Sequence, residues 1–133
     1  SPEGRYQVAL NMDNGDINRL GERQAVYQDA EMRLSVDHHA TNKVEADISY
    51  VDTGAAATGE IIYRLLTEYM GIPVTKDIAL CLYTAIITDT GGFRFSNTTP
   101  ETMVIAGELM KTGIDFTNVN KKVFDRISYA KLF

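Results

Sequence analysis

Asp37, His38 and His39 are adjacent, and the two histidines are the only ones in 133 residues. They close the apolar run Leu34-Ser35-Val36. Neighbouring side chains of a strand point to opposite faces, so at a strand end one imidazole can enter a cleft while the other turns away. A surface histidine pair without a role is the plain alternative. What weighs against it is the rest of the sequence. Two further segments put a carboxylate at the end of an apolar element: Asp13-Asn14-Gly15-Asp16-Ile17-Asn18-Arg19-Leu20-Gly21, and Thr88-Asp89-Thr90-Gly91-Gly92-Phe93-Arg94-Phe95-Ser96-Asn97. Turn chemistry accounts cheaply for one such segment. It accounts less well for three in the company of a histidine pair. Carboxylates with imidazoles suit a borderline divalent ion such as manganese, with water completing the shell. A pair of such ions bridged by a carboxylate can activate water and clamp a phosphoryl group.

The elements that must position these residues alternate in type. Tyr6 to Met12, Arg33 to Asp37 and Asp47 to Val51 read as strands. Glu22 to Glu31, Ala56 to Met70 and Lys76 to about Thr88 read as helices, the last with Thr75 as its N-cap. Phe93-Arg94-Phe95 alternates and is expected to be a short extended segment. Thr99-Pro100 is a helix start with proline at the first helical position. That helix is expected to run to about Lys111 and to stop at Gly113. A last helix is expected from about Phe116 towards Leu132. Strands alternating with helices imply an α/β fold with a mainly parallel sheet and helices on both faces. Sites in such sheets form beyond the carboxyl ends of the strands, where Asp13 and Asp37 both fall.

Composition narrows the class. An apolar fraction of 44% and a charged fraction of 23% belong to a globular domain, and the length suffices for a core. No stretch reaches the ~20 apolar residues of a membrane span. The longest apolar segment, Ile78 to Ile87, reads as a buried helix, and Cys81 within it as a small buried hydrophobe. The single cysteine excludes an internal disulfide and favours a reducing, cytoplasmic setting. A net charge of -5 argues against binding long nucleic acid, and Lys121 and Lys122 are too few for a basic patch. It leaves small anions open where metals supply positive charge. The plain readings of the remaining polar residues are local. Asp16 is expected as a turn or cap residue, and Arg19 as the partner of a nearby carboxylate. Gly91 and Gly92 are expected at positive φ, and Phe93 and Phe95 in the core.

The three segments, in this order and spacing, resemble the DHH phosphoesterase superfamily. Asp37-His38-His39 matches its name motif. Asp13 followed by Arg19-Leu20-Gly21 looks like the preceding motif, and Asp89 with Gly91-Gly92-Phe93-Arg94-Phe95-Ser96-Asn97-Thr98 like the following one. Ala57-Thr58-Gly59-Glu60 looks like the helix start between them. The Gly-Gly-Phe-Arg-Phe-Ser-Asn wording is most similar to the oligoribonuclease (nanoRNase) and phosphoadenosine-phosphate phosphatase branch. The resemblance implies a two-manganese centre in which Asp13 bridges the ions and His38 and Asp89 bind the second. His39 would face the substrate phosphate, and Asp37 would hold an imidazole in its productive tautomer. Arg94 would offset phosphate charge. Implied substrates are short RNA or DNA oligonucleotides or a small nucleotide phosphate.

The pattern departs from the family at both ends. The family's earlier motif, a His and two Asp after its first strand, has no counterpart before Asp13, and its glycine-rich second domain none after Phe133. The chain is therefore expected to be a partial DHH domain over residues 1–133, the middle and C-terminal part. It is expected to hold at most one manganese ion weakly, to be inactive alone, and to leave sheet edges and an apolar face open to self-association. Competing readings are a cyclic dinucleotide phosphodiesterase, a manganese inorganic pyrophosphatase, and a non-catalytic nucleotide-binding regulatory domain.

Overall fold

A computed structural model describes the backbone of residues 5–131 and the side chains of residues 5–126. The expected helix end at Leu132 lies outside the described residues. The chain divides into two compact units, Ser1–Thr53 and Gly54–Phe133.

The first unit is a parallel three-stranded sheet in the order β1-β2-β3, with β1 Val8–Met12, β2 Met32–Asp37 and β3 Ile48–Val51. Val8 pairs with Met32 and Met12 with Val36, while Leu34 pairs with Ile48 and Asp37 with Val51. This register puts Asp37 at the carboxyl end of β2, one step beyond the β1 pairing. Asp47 prepares β3: its carboxylate accepts from the Arg33 amide at 2.8 Å, and its own amide donates to the Arg33 carbonyl at 2.9 Å. Val8, Leu10, Met12, Ile48 and Tyr50 are exposed, all on the face opposite Asn11, Ser35 and Asp37, which are buried.

The crossover from β1 to β2 differs from the single helix expected over Glu22 to Glu31. A 3-10 helix, Ile17–Arg23, comes first, and α1, Gln24–Asp29, follows. Gly21 interrupts the geometry with φ 57 and ψ -124, a conformation open to glycine because it lacks a Cβ. Asp16 caps the 3-10 segment by accepting from the Asn18 amide at 2.9 Å, the cap role expected of it. Tyr27 of α1 is buried, and its hydroxyl donates to the Glu45 carbonyl.

The second unit is helical: α2 Thr58–Arg64, α3 Lys76–Asp89, α4 Pro100–Met110 and α5 Phe116–Lys131. Its core joins Ala57, Ala79, Leu82, Tyr83, Ile86, Ile87, Ile105, Ala106 and Leu109. Thr75 caps α3 and Thr99 caps α4, with Pro100 in its first turn, as the sequence predicts. The helix expected to run to Met70 changes winding at Leu65, where a wider π-type turn, Leu65–Tyr69, takes over. Thr67 donates its hydroxyl to the Tyr63 carbonyl there, giving that carbonyl a side-chain partner.

Two sequence expectations are corrected. Ile78 to Ile87 is one-sided rather than buried all round. Ala79, Leu82, Tyr83, Ile86 and Ile87 face the core, while Leu80, Cys81 and Thr84 are exposed. Cys81 falls outside the 3.6-residue stripe that meets α4 and α5, so the apolar composition of the run misplaced it. Phe93-Arg94-Phe95 is not extended: Phe93 has φ 67, and the Arg94 and Phe95 amides both turn back to the Thr90 carbonyl at 3.0 and 2.9 Å.

Candidate metal centre

The carboxyl ends of β1 and β2 carry the chemistry of the first unit. Beyond β1 the chain reverses at once, with Asp13 at φ 56 and its amide still donating to the Val36 carbonyl at 2.9 Å. The left-handed conformation turns the Asp13 carboxylate towards β2, and its Oδ1 lies 3.3 Å from His38 Nε2. Asp13, Asp37, His38 and His39 each offer a ligand atom, and these atoms lie within 4.8 Å of one another. Two carboxylates and two imidazoles so close are a donor set that fits a borderline divalent cation.

Asp37 organises the cluster from beneath. It is fully buried. Its Oδ1 accepts from the His38 amide at 2.8 Å and from His39 Nδ1 at 2.7 Å, and its Oδ2 accepts from Asn42 Nδ2 at 2.7 Å. Burial pushes the carboxyl pKa up. Hydrogen bonds from the Asn42 side chain, the His39 ring, and the His38 and His39 amides outweigh that, so Asp37 ionises below the ordinary carboxylate range. A carboxylate accepting from His39 Nδ1 fixes the tautomer and leaves Nε2 with the lone pair. The two rings sit 4.2 Å apart at 47°.

Residues that sequence reasoning missed hold the two loops together. Asn11 of β1 donates to Ser35 Oγ at 3.1 Å and to the Asn14 carbonyl at 2.8 Å, and Asn14 returns a bond to Asn11 Oδ1 at 3.1 Å. The Lys43 amide donates to the Gly15 carbonyl at 2.9 Å. A Cβ on Gly15 would stand 3.3 Å from the Asn42 Cα and 3.4 Å from Asp37 Oδ2, so a side chain there would require the facing loop to give by a few tenths of an ångström. The legible signal was polar residues at strand positions that face inward. Asn11 and Ser35 sit in register and are both buried.

Asp89 and Arg94 belong to the second unit. Asp89 ends α3, and its carbonyl accepts from Asn97 Nδ2 at 2.9 Å. The loop after it runs through three consecutive left-handed residues, Gly91 at φ 58, Gly92 at φ 70 and Phe93 at φ 67. Gly91 lies under the Phe95 ring, where any Cβ would collide. The positive φ expected of both glycines is thus joined, at Gly91, by a packing demand. Phe93 packs against the core, whereas Phe95 is exposed. Arg94 Nε donates to the Gly91 carbonyl at 2.9 Å, and its guanidinium lies 4.8 Å from the centroid of the Phe124 ring. Asn97 also reaches the Ala56 carbonyl at 3.5 Å, and Glu60 accepts from the Ala56 amide at 2.6 Å. The loop is thereby tied to the start of α2.

Comparison with known proteins places this geometry among relatives. The model of the DHH family, N-terminal domain, matches residues 7–86. The chain is 37% identical over 100 residues to the bifunctional oligoribonuclease and PAP phosphatase NrnA of Thermus thermophilus, covering 74% of this chain and 31% of that protein. It is 36% identical over 121 residues to a probable manganese-dependent inorganic pyrophosphatase of Archaeoglobus fulgidus, covering 83% of this chain and 37% of that one. Among solved structures, an exopolyphosphatase-related protein from Bacteroides fragilis superposes with a TM-score of 0.79 at 28% identity, covering 90% of this chain and 36% of that one. The chain therefore spans about a third of the length of the curated relatives it matches, between 31% and 37%.

Proposed function

From the premise that this chain belongs to the DHH family, a family of phosphoesterases, we propose that the protein is a manganese-dependent phosphoesterase acting on short oligonucleotides or phosphoadenosine phosphate. The observation that carries the reading is the convergence of Asp13, Asp37, His38 and His39 beyond β1 and β2, their ligand atoms within 4.8 Å. Asp13 and His38 would hold the metal, and Asp89 is a ligand only by the family resemblance. The donor set accounts for one ion, while the family resemblance implies two. Manganese, when bound, supplies charge to the phosphoryl oxygens and lowers the pKa of water to generate a nucleophile near neutral pH.

The chain's own residues do the rest. Asp37 keeps the His39 ring oriented with its proton on Nδ1, so Nε2 presents a lone pair that can accept a proton beside the substrate phosphate. Asn42 and the His38 amide hold Asp37 ionised, which keeps that orientation through the neutral range. Arg94 would offset phosphate charge only as the family resemblance implies; within the second unit its guanidinium lies over the Phe124 ring and its Nε donates to the Gly91 carbonyl. The likeness to NrnA enzymes, by their name oligoribonucleases and PAP phosphatases, supports the substrate class. So does the Gly91-to-Asn97 loop wording. A second reading, hydrolysis of pyrophosphate, rests on the likeness to the archaeal pyrophosphatase. A cytoplasmic setting, suggested by the single cysteine, belongs to the same proposal. Among the described residues no helix is long and apolar enough to cross a membrane.

This chain alone is expected to be inactive, so the test is a manganese-dependent assay of the full-length protein on short RNA, phosphoadenosine phosphate, a cyclic dinucleotide and pyrophosphate. Short RNA or phosphoadenosine phosphate is expected to be turned over fastest, and His38→Ala is expected to reduce turnover by at least about 100-fold. Preference for pyrophosphate would replace the substrate assignment with the second reading. Unchanged activity in His38→Ala would defeat the metal assignment.

A further inference from the structure

Beside the metal cluster, on the same two loops, lies a second feature that shares only His39 with the proposed mechanism. A polar hollow of about 310 Å³ is lined by Gly15, Asp16, Arg19, His39, Thr41 and Lys43. Arg19 and Lys43 come from opposite loops, held together by the Lys43 amide on the Gly15 carbonyl. Arg19 was expected to pair with a carboxylate. Among the described residues, neither Arg19 nor Lys43 makes a side-chain ion pair, although the chain is acidic overall. The one acid of the lining, Asp16, spends Oδ1 on the Asn18 amide as a helix cap. Two cations are therefore brought to one hollow whose lining holds a single carboxylate, and neither is ion-paired to it.

We propose that this hollow is an anion site, built for a second phosphate group on a substrate that carries two. It rests on the phosphoesterase reading only for the word substrate. A guanidinium matches phosphate oxygens with a planar fork, and an ammonium adds a movable point charge. His39 fixes the placement. Its Nδ1 faces Asp37 inside the metal cluster, yet its ring also lines the hollow. A ligand in the hollow is therefore the near neighbour of the group held at the cluster. A nucleotide with two phosphates can span both places, and one with a single phosphate fills only one of them. Thr41 adds a hydroxyl donor to the same lining.

The test separates the anion site from the enzyme activity. In metal-free buffer, inorganic phosphate is titrated into this chain and followed by amide chemical shifts. Saturating shifts are expected at Gly15, Thr41 and Lys43. They should survive Asp13→Asn, which alters the metal cluster, and weaken by about tenfold or more in the Arg19→Gln/Lys43→Gln double variant. Arg19→Lys should keep part of the affinity, and unperturbed shifts across α3 and α4 verify the fold of each variant. Absence of saturable shifts, or phosphate binding lost in Asp13→Asn and kept in the double variant, overturns the site. A second arm uses the full-length protein in the manganese assay, comparing a dinucleotide with and without a 5′-phosphate. The double variant should raise KM about tenfold for the phosphorylated substrate with little change in kcat, and leave the other unaltered. Equal effects on both substrates overturn the assignment to a second phosphate. If the full-length protein turns over no substrate while the titration behaves as expected, the proposed function and the substrate assignment fall together, and the anion site stands.

Discussion

Asp37 shows how one buried side chain can serve geometry and charge together. Four donors, the Asn42 side chain, the His39 ring and the His38 and His39 amides, converge on its two oxygens, and all belong to the loop it begins. Its folded pKa lies below its unfolded value, so its contribution to stability is present above the unfolded pKa and is lost as pH falls through the folded one. Asp37→Asn turns an amide NH₂ towards either Asn42 or the His38 and His39 donors, leaving a buried donor without an acceptor. The variant is expected to be less stable by about 1–3 kcal/mol near pH 7. The gap should narrow as pH falls below the unfolded carboxylate range and on through the lower folded pKa of Asp37. Denaturant melts of both proteins at pH 7 and pH 3 measure it; a gap that stays constant or widens on acidification would show that the carboxylate is not what holds the loop. This role was legible in part, because the Asp-His-His step named the residue and the resemblance gave it an orienting role. Asn42 was not legible as its partner. Nothing in the composition of a loop states which of its amides will fold back on a carboxylate five residues away.

At the scale of elements, the stripes of apolar residues announced most of the strands and helices, because burial on one face imposes a period that the sequence must carry. The segments that escaped are those whose conformation is set by contacts across the chain. Phe93 reads as part of an alternating strand, yet Thr90 gathers the amides of Phe93, Arg94 and Phe95 and winds the loop left-handed. The break at Gly21 and the π-type turn at Leu65 are local shifts of winding that leave the apolar pattern almost unchanged. Asn97 binds this loop to two other elements at once, through the carbonyls of Asp89 and Ala56. Asn97→Ala should cost about 1 kcal/mol in stability and, by loosening the end of α3, lower manganese affinity several-fold. Calorimetric titration of manganese beside a thermal melt checks it. A full loss of stability with unchanged metal affinity would make Asn97 a packing residue alone.

For the whole molecule, the parallel α/β class followed from the alternation of elements, and the sheet order and register add what alternation cannot state. Exposure of Val8, Leu10, Met12, Ile48 and Tyr50 on one face of the sheet predicts self-association of this chain. Light scattering over a range of concentrations should show mass rising with concentration, and a constant monomer mass would remove the expectation. The sulfur of Cys81 offers a different kind of access. It is the sole thiol in the sequence, and it is exposed on α3. A maleimide dye therefore attaches at one defined point without any engineering. That point stands eight residues before Asp89, about 12 Å along the helix axis. Manganese is paramagnetic and quenches fluorophores at short range. On the proposal that Asp89 is a metal ligand, a dye on Cys81 should dim as manganese is added and recover with a chelator, turning an off-stripe cysteine into a test of that proposal. An emission indifferent to manganese would mean that no ion settles near Asp89.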